Sequence, residues 1–225
     1  MPVGRFVKFI GGCLLLAMLT SCMAAPRIKN IPDRIDGIEG FASLRLIGEA
    51  GEGRSRFSFL FFLAGQARID ASDFMGRTLF QILLNEGRGY FILPSRKAFW
   101  AGGEAEIIAK LLGIEMTLKE AMGMISGVWW RDIETIRNWS LEKDENGRIV
   151  GGNRSDLSFW VEEFFPETES ARTIGFKQAE SSGRLKILDI GFNPIRREGA
   201  FSLEALDGYS LKPWEEIRVL MEHED

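Results

Sequence analysis

The chain has 225 residues, with 28 Lys and Arg against 32 Asp and Glu and a formal net charge of −4. That acidic balance argues against nucleic-acid binding, which needs a basic face to neutralise phosphates. One histidine and two cysteines are too few for a His/Cys metal site, and both cysteines fall within the first 22 residues, which leaves the rest of the chain without a disulfide framework, so packing alone must hold the fold.

The first element is an export signal. A basic n-region (Arg5, Lys8) precedes an apolar h-region from Phe9 to Leu19, too short to span a bilayer and ending in small residues. It closes on Leu19-Thr20-Ser21-Cys22, a pattern similar to the bacterial lipoprotein signal. There the peptidase cuts before a cysteine that carries acyl chains, so residues 1–21 are expected to leave and Cys22 to be lipidated. Cys13 leaves with the signal. Met23 after the cysteine, in place of the aspartate that enterobacteria use for inner-membrane retention, points to the periplasmic face of the outer membrane. The mature chain, about 200 residues, is long enough for one domain with a full core. Residues 22–36, punctuated by Pro26 and Pro32 and carrying Arg27, Lys29 and Arg34, read as a flexible tether.

A period of two follows. In Phe57-Ser58-Phe59-Leu60-Phe61-Phe62-Leu63 the odd residues Phe57, Phe59, Phe61 and Leu63 project to one side, and Ala67 and Ile69 extend that face. Thr78 to Leu84 and Tyr90 to Leu93 form the next strand pair around a turn at 85–89, stopped by Pro94. The result is an antiparallel meander with one strongly apolar face. With 17 Phe against 2 Tyr, that face suits hydrocarbon better than a polar metabolite, or else is an ordinary sandwich core.

Two short helices are predicted next. Glu104 to Leu112 carries Ile107, Ile108, Leu111 and Leu112 on one stripe and stops at Gly113. Thr117-Leu118-Lys119-Glu120 reads as a capping box opening a helix with Leu118, Ala121, Met122 and Ile125 on its apolar face, ending at Gly127. Neither can bury its face alone, so both are expected to plug the concave side of the sheet, through Ile107, Leu111, Met122 and Ile125.

Strands then return. Asn146-Gly147, a pair favoured by type I′ turns, links 139–141 to 149–150. Further strand candidates are 157–161, 173–178, 185–192 and 201–205, with a turn at Ser181-Ser182-Gly183. One domain over 37–221 and an acidic tail at 222–225 complete the chain.

Catalytic chemistry is nearly absent from the sequence. His223 lies in the tail, a poor place for a positioned base, and no metal-ligand spacing or phosphate-binding glycine loop occurs. Asp70 with Asp73, and Glu162 with Glu163, are the remaining carboxylate pairs. The expectation is a protein that is not an enzyme and has no metal or cofactor.

Residues 67–127 resemble the LolB family of outer-membrane lipoprotein receptors. The likeness rests on Ala67-Arg68-Ile69-Asp70-Ala71-Ser72-Asp73-Phe74-Met75-Gly76, on Leu79 to Leu84, on Ala105-Glu106 through Lys110-Leu111-Leu112-Gly113 and on Ile125-Ser126-Gly127. The resemblance implies a curved, unclosed antiparallel half-barrel closed on its concave side by helices, a fold shared with the periplasmic carrier LolA. It further implies that the protein accepts acylated lipoproteins from such a carrier and inserts them into the outer membrane. Phe57, Phe59, Phe61, Leu63 and Ile69 are then candidates for an acyl-chain cavity. In the family a leucine before the loop glycine meets the membrane; Met75 holds that place here, and Phe74 replaces the family's proline. Two further readings are a module of the same fold with another lipid or hydrophobic cargo, and an envelope structural lipoprotein that binds nothing.

Overall fold

A computed structural model describes residues 28, 31–48, 51–73, 75–114, 116–127, 138–166 and 168–222. The signal, Cys22, Phe74 and His223 lie outside the described residues. Among the described residues, twelve strands form a single sheet: β1 Gly37–Gly48, β2 Gly51–Phe62, β3 Gln66–Ser72, β4 Thr78–Asn85, β5 Arg88–Leu93, β6 Ala98–Gly103, β7 Ser140–Lys143, β8 Ile149–Arg154, β9 Leu157–Phe164, β10 Ala171–Gln178, β11 Ser181–Phe192 and β12 Ser210–Leu211. Their spatial order is β12-β6-β5-β4-β3-β2-β1-β11-β10-β9-β8-β7. Every pairing is antiparallel except β12 with β6, and β1 joins the two meanders by pairing with both β2 and β11. The sheet curves without closing. Three helices accompany it among the described residues: α1 Glu104–Leu112, α2 Leu118–Ser126 and α3 Trp214–Glu222.

Register explains the core. Trp100, Phe91, Ile82, Ile69, Phe59, Gly40 and Ile190 stand opposite one another on successive strands and so form a single row on the concave face. Phe57 opposite Ala71 and Phe61 opposite Ala67 flank that row. Apart from the buried Ala71, the apolar side chains named here belong to one cluster with buried residues of α1, α2 and α3. Leu83, Ile92 and Phe201 are buried outside this cluster; the Phe201 ring meets Phe62 edge-on at 5.9 Å.

Several sequence expectations are corrected. β1 carries Gly40 and Ala42 at concave positions; a Cβ on Gly40 would lie 2.1 Å from the backbone oxygen of Asp189 on β11 and 2.8 Å from the Phe59 ring, so only glycine fits between the two neighbouring strands. Small residues there erase the alternation by which a strand is recognised. Residues 181–183 are strand, and the turn sits at Ala179-Glu180, with Ala179 at φ 47°. The strand expected at 201–205 is a set of turns with a 3₁₀ turn at Glu204–Leu206. The tether is shorter than predicted: Ile35 is buried, and Ile28 and Ile31 pack against the core. Asn193 fastens this entry, its Oδ1 accepting from Asp36 N at 2.7 Å and its Nδ2 donating to Arg34 O at 2.8 Å. Finally α3 is a third helix, unexpected from the sequence reading, although Pro213 followed by Trp214, Glu215, Glu216 and Ile217 is a legible helix start. Its Trp214 ring packs 5.5 Å from both Phe91 and Trp100.

Candidate functional site: the plugged concave face and the Met75 hairpin

Phe59 is 3% and Phe61 4% exposed, with ring centroids 5.3 Å apart; Phe57 and Ile69 are half-buried in the same cluster. Leu63 lies just past the end of β2, in the turn, where its amide donates to Asp36 O at 2.9 Å. The candidate cavity residues therefore form one continuous apolar surface, and helices fill it. Ile107 and Met122 are fully buried, and Leu118 and Ile125 nearly so. The Leu111 side chain lies outside what the structure describes. α1 sits so close to the sheet that a Cβ on Gly89 would be 2.9 Å from Ile107 Cγ2.

The helix ends show what retains the plug. Gly113 ends α1 at φ 65°, its amide donating to Ala109 O at 2.9 Å. The capping box of α2 forms as expected: Glu120 N donates to Thr117 Oγ1 at 3.3 Å and Thr117 N to Glu120 Oε2 at 2.8 Å. Glu104, the first residue of α1, accepts from Leu118 N at 2.8 Å and so ties the helices together. Glu120 does more than cap. Buried to 5% exposure, it also accepts from Trp139 Nε1 at 2.8 Å and forms an ion pair with Arg154, the last residue of β8. The Arg154 guanidinium in turn lies 5.0 Å from the Trp139 ring centre. A carboxylate shared by a helix cap and a strand cation locks α2 across the sheet. Sequence reasoning identified Glu120 as a cap but not as a latch, because Arg154 is 34 residues away. Beside the latch a cleft of about 400 Å³ is lined by Phe62, Leu63, Met122, Glu104, Lys119 and Asn138 among others, a mixture of apolar and charged groups.

The hairpin tip at 73–77 has a different character. Asp73 Oδ1 accepts from Met75 N at 2.8 Å and from Arg77 N at 2.9 Å, while Oδ2 pairs with Arg77 Nε at 2.6 Å. Gly76 takes φ 80°. These donors, first the Arg77 amide and then its guanidinium, hold the Asp73 carboxyl below the ordinary Asp value. Met75 is 68% exposed.

The β7–β8 hairpin repeats this construction. Asp144 accepts from Asn146 N and Arg148 N, both at 2.9 Å, and pairs with Arg148 Nε at 2.8 Å; Gly147 has φ 80°. Only Gly147 of the Asn-Gly pair has positive φ, so this is a glycine-bulge hairpin and not the predicted I′ turn. Both central residues are positive at Glu86 (51°) and Gly87 (79°), the I′ signature. Asp73-Phe74-Met75-Gly76-Arg77 and Asp144-Glu145-Asn146-Gly147-Arg148 are thus one turn design with different tips. The polar tip folds equally well, so turn geometry does not require the apolar one.

The carboxylates considered for catalysis have separate employments. Asp70 pairs with Arg68 and accepts from Gln81, Asp73 organises its turn, Glu162 pairs with Arg184, and Glu163 with Arg172.

Comparison with known proteins returns fold and no more. No family model matches the chain, and no curated protein matches it. Among solved structures, a LolA superfamily protein from Nitrosomonas europaea superposes with TM-score 0.54 at 12% identity, covering 80% of this chain and 93% of that one. A candidate outer membrane lipoprotein-sorting protein domain from Vibrio parahaemolyticus gives 0.53 at 11%, covering 77% and 92%. A DUF1329 family protein from Desulfovibrio piger gives 0.54 at 7%, covering 77% and 92%. The curved, unclosed sheet with its short helices has the LolA-like fold.

Proposed function

We propose that the protein is a lipid-anchored acceptor of acylated lipoproteins that inserts them into the outer membrane from its periplasmic face. The observation that carries the reading is the continuous concave apolar row held shut by α1 and α2, each of nine residues. Helices this short have little stability of their own, so they can leave the sheet at a cost set by contacts, and an acyl chain can replace those contacts. Each chain methylene removed from water contributes about 0.8 kcal/mol, which offsets the displacement and needs no nucleotide.

Three further features support it. The Leu-Thr-Ser-Cys22 motif supplies the anchor, one solved structure of this fold is described as an outer membrane lipoprotein-sorting protein domain, and Met75 stands exposed on a turn that would fold with polar residues. Burying Met75 and its neighbour Phe74 in the lipid interface would gain on the order of 1.5–3 kcal/mol each. The partners implied are a LolA-like periplasmic carrier, its acylated cargo and outer-membrane lipids.

The test is reconstitution. The full chain, incubated with a carrier loaded with radiolabelled acylated lipoprotein, should take up the label and then pass it to vesicles. Uptake of free fatty acid but not of acylated lipoprotein would transfer the assignment to another lipid cargo. Uptake of neither would leave a structural lipoprotein.

A further inference from the structure

We propose that the convex face of the sheet around β1 docks on anionic phospholipid headgroups, and that it does so together with the Met75 tip; the inference rests on the membrane-delivery reading above. Cross-strand register sets Arg45 directly between Arg54 on β2 and Arg184 on β11. In the next row Ser43 stands between Arg56 and Lys186. Their alternate neighbours Ala42, Leu44, Phe57, Leu185 and Ile187 belong to the concave core, so the cations project from the other face, where all five are exposed. Lys177 on β10, beside the buried Phe176, joins them.

Acids neutralise only part of this charge. Glu52 accepts from Arg45 at 2.7 and 2.9 Å, and Glu162 from Arg184 at 2.6 Å. Among the described residues, Arg54, Arg56, Lys177 and Lys186 form no ion pair with an acid. Glu52 also feels the Arg54 charge. The bordering acids are Glu180 and Asp156 in the adjacent turns, the latter held by Gln178, Asp189 opposite Phe41, Asp70 opposite Ser58 and paired with Arg68, and Glu163, paired with Arg172 and bonded to Thr173 opposite Lys186. Like charges placed opposite one another on neighbouring strands oppose folding. Here they gather on one face of a chain whose net charge is −4, and no packing requirement places them there.

Apolar side chains are interspersed with the cations. Ile47 is 46% exposed at the end of β1, Phe41 is 57% exposed, and Trp160 is 43% exposed with its ring lying over Gly175, the residue opposite Arg184. Cations mixed with exposed tryptophan and aliphatic groups match a headgroup layer, where ammonium and guanidinium groups meet phosphate and indole sits at the boundary with hydrocarbon. The placement also agrees with the hairpin: Arg56 stands opposite Ser72, the last residue of β3 before the 73–77 turn. One tilt of the domain therefore brings Arg54, Arg56, Ile47 and Met75 to the same surface.

The experiment measures amine acylation of Lys177 and Lys186 in the full chain reconstituted in vesicles of phosphatidylcholine alone or with added phosphatidylglycerol. Headgroup docking predicts that both lysines react about fivefold more slowly in the phosphatidylglycerol vesicles, the change one basic residue near an anionic surface is worth. High salt and the double change Arg54→Glu, Arg56→Glu should each restore the rate, with melting temperature checking the fold. Equal rates in both vesicles would overturn the proposal, and so would equal protection by soluble poly-glutamate, which would assign the face to an acidic polypeptide. Uptake of labelled lipoprotein is followed in the same samples: unprotected lysines with uptake intact remove only the docking inference, whereas absent uptake removes the delivery reading itself.

Discussion

Gly89→Ala tests whether α1 is a removable plug or a fixed part of the core. The new Cβ would lie 2.9 Å from Ile107 Cγ2 and 3.1 Å from Leu84 Cδ2. Both partners are buried, Ile107 completely, so neither can swing into solvent and the helix must move off the sheet. Overpacking of this kind costs about 1–3 kcal/mol, which for a chain of this size lowers Tm by roughly 2–4 °C per kcal/mol. The informative question is which state bears the cost. If acyl chains enter by displacing α1, only the closed state contains the clash, and opening becomes easier by the same amount. A shift of about 1.4 kcal/mol then tightens binding of a fluorescent fatty acid about tenfold while Tm falls. Ile107→Ala removes the clashing atom, so the double variant should lose less stability than the sum of the single changes. A lower Tm with unchanged or weaker probe binding would refute the argument and return α1 to the permanent core.

Other predictions concern the turn, the latch, the anchor and pH. Giving the 73–77 turn the other tip, Phe74→Glu with Met75→Asn, should preserve fold and cargo uptake but abolish transfer to vesicles; unaltered transfer would remove Met75 from the mechanism. Glu120→Ala leaves Arg154 and the Trp139 N–H without their shared acceptor and should cost about 3–5 kcal/mol by thermal melting, with Glu120→Gln losing clearly less. Equal losses would mean that the carboxylate charge opposite Arg154, which glutamine lacks, and not the shape that it keeps, holds the latch. Cys22→Ala should end incorporation of radiolabelled palmitate, and continued labelling would overturn the lipoprotein-signal reading. Because the folded Asp73 carboxyl is held below its ordinary value of 3.8, its contribution is complete above that pH and is lost as pH falls through the lowered folded value. Amide-exchange protection at Met75 and Arg77 should therefore persist at neutral pH and disappear only in strong acid. Loss of protection near neutrality would show that another group organises the turn.

Local chemistry was legible wherever a few neighbouring residues decide the outcome. Thr117 and Glu120 announce the start of α2, Gly113 and Gly127 end the two helices, and alternation from Phe57 to Phe61 gives both strand and face, because caps and period-two patterns are written within one element. The half-barrel and its helical plug were expected partly on these patterns and partly on family likeness, and the fold bears them out. Tertiary structure decided the rest. β1 hid because two of its inward residues are small, Gly40 being pressed between the β11 backbone at Asp189 and the Phe59 ring. The Asp144 turn formed a glycine bulge although its Asn-Gly pair favours I′, since turn type follows the register of the strands it joins. Glu120 became a latch only when folding brought Arg154 and Trp139 to it. The basic face arose from residues spread across β1, β2, β10 and β11, each ordinary in its own segment. Pairings between distant strands are set by packing and register, and no window of sequence contains them.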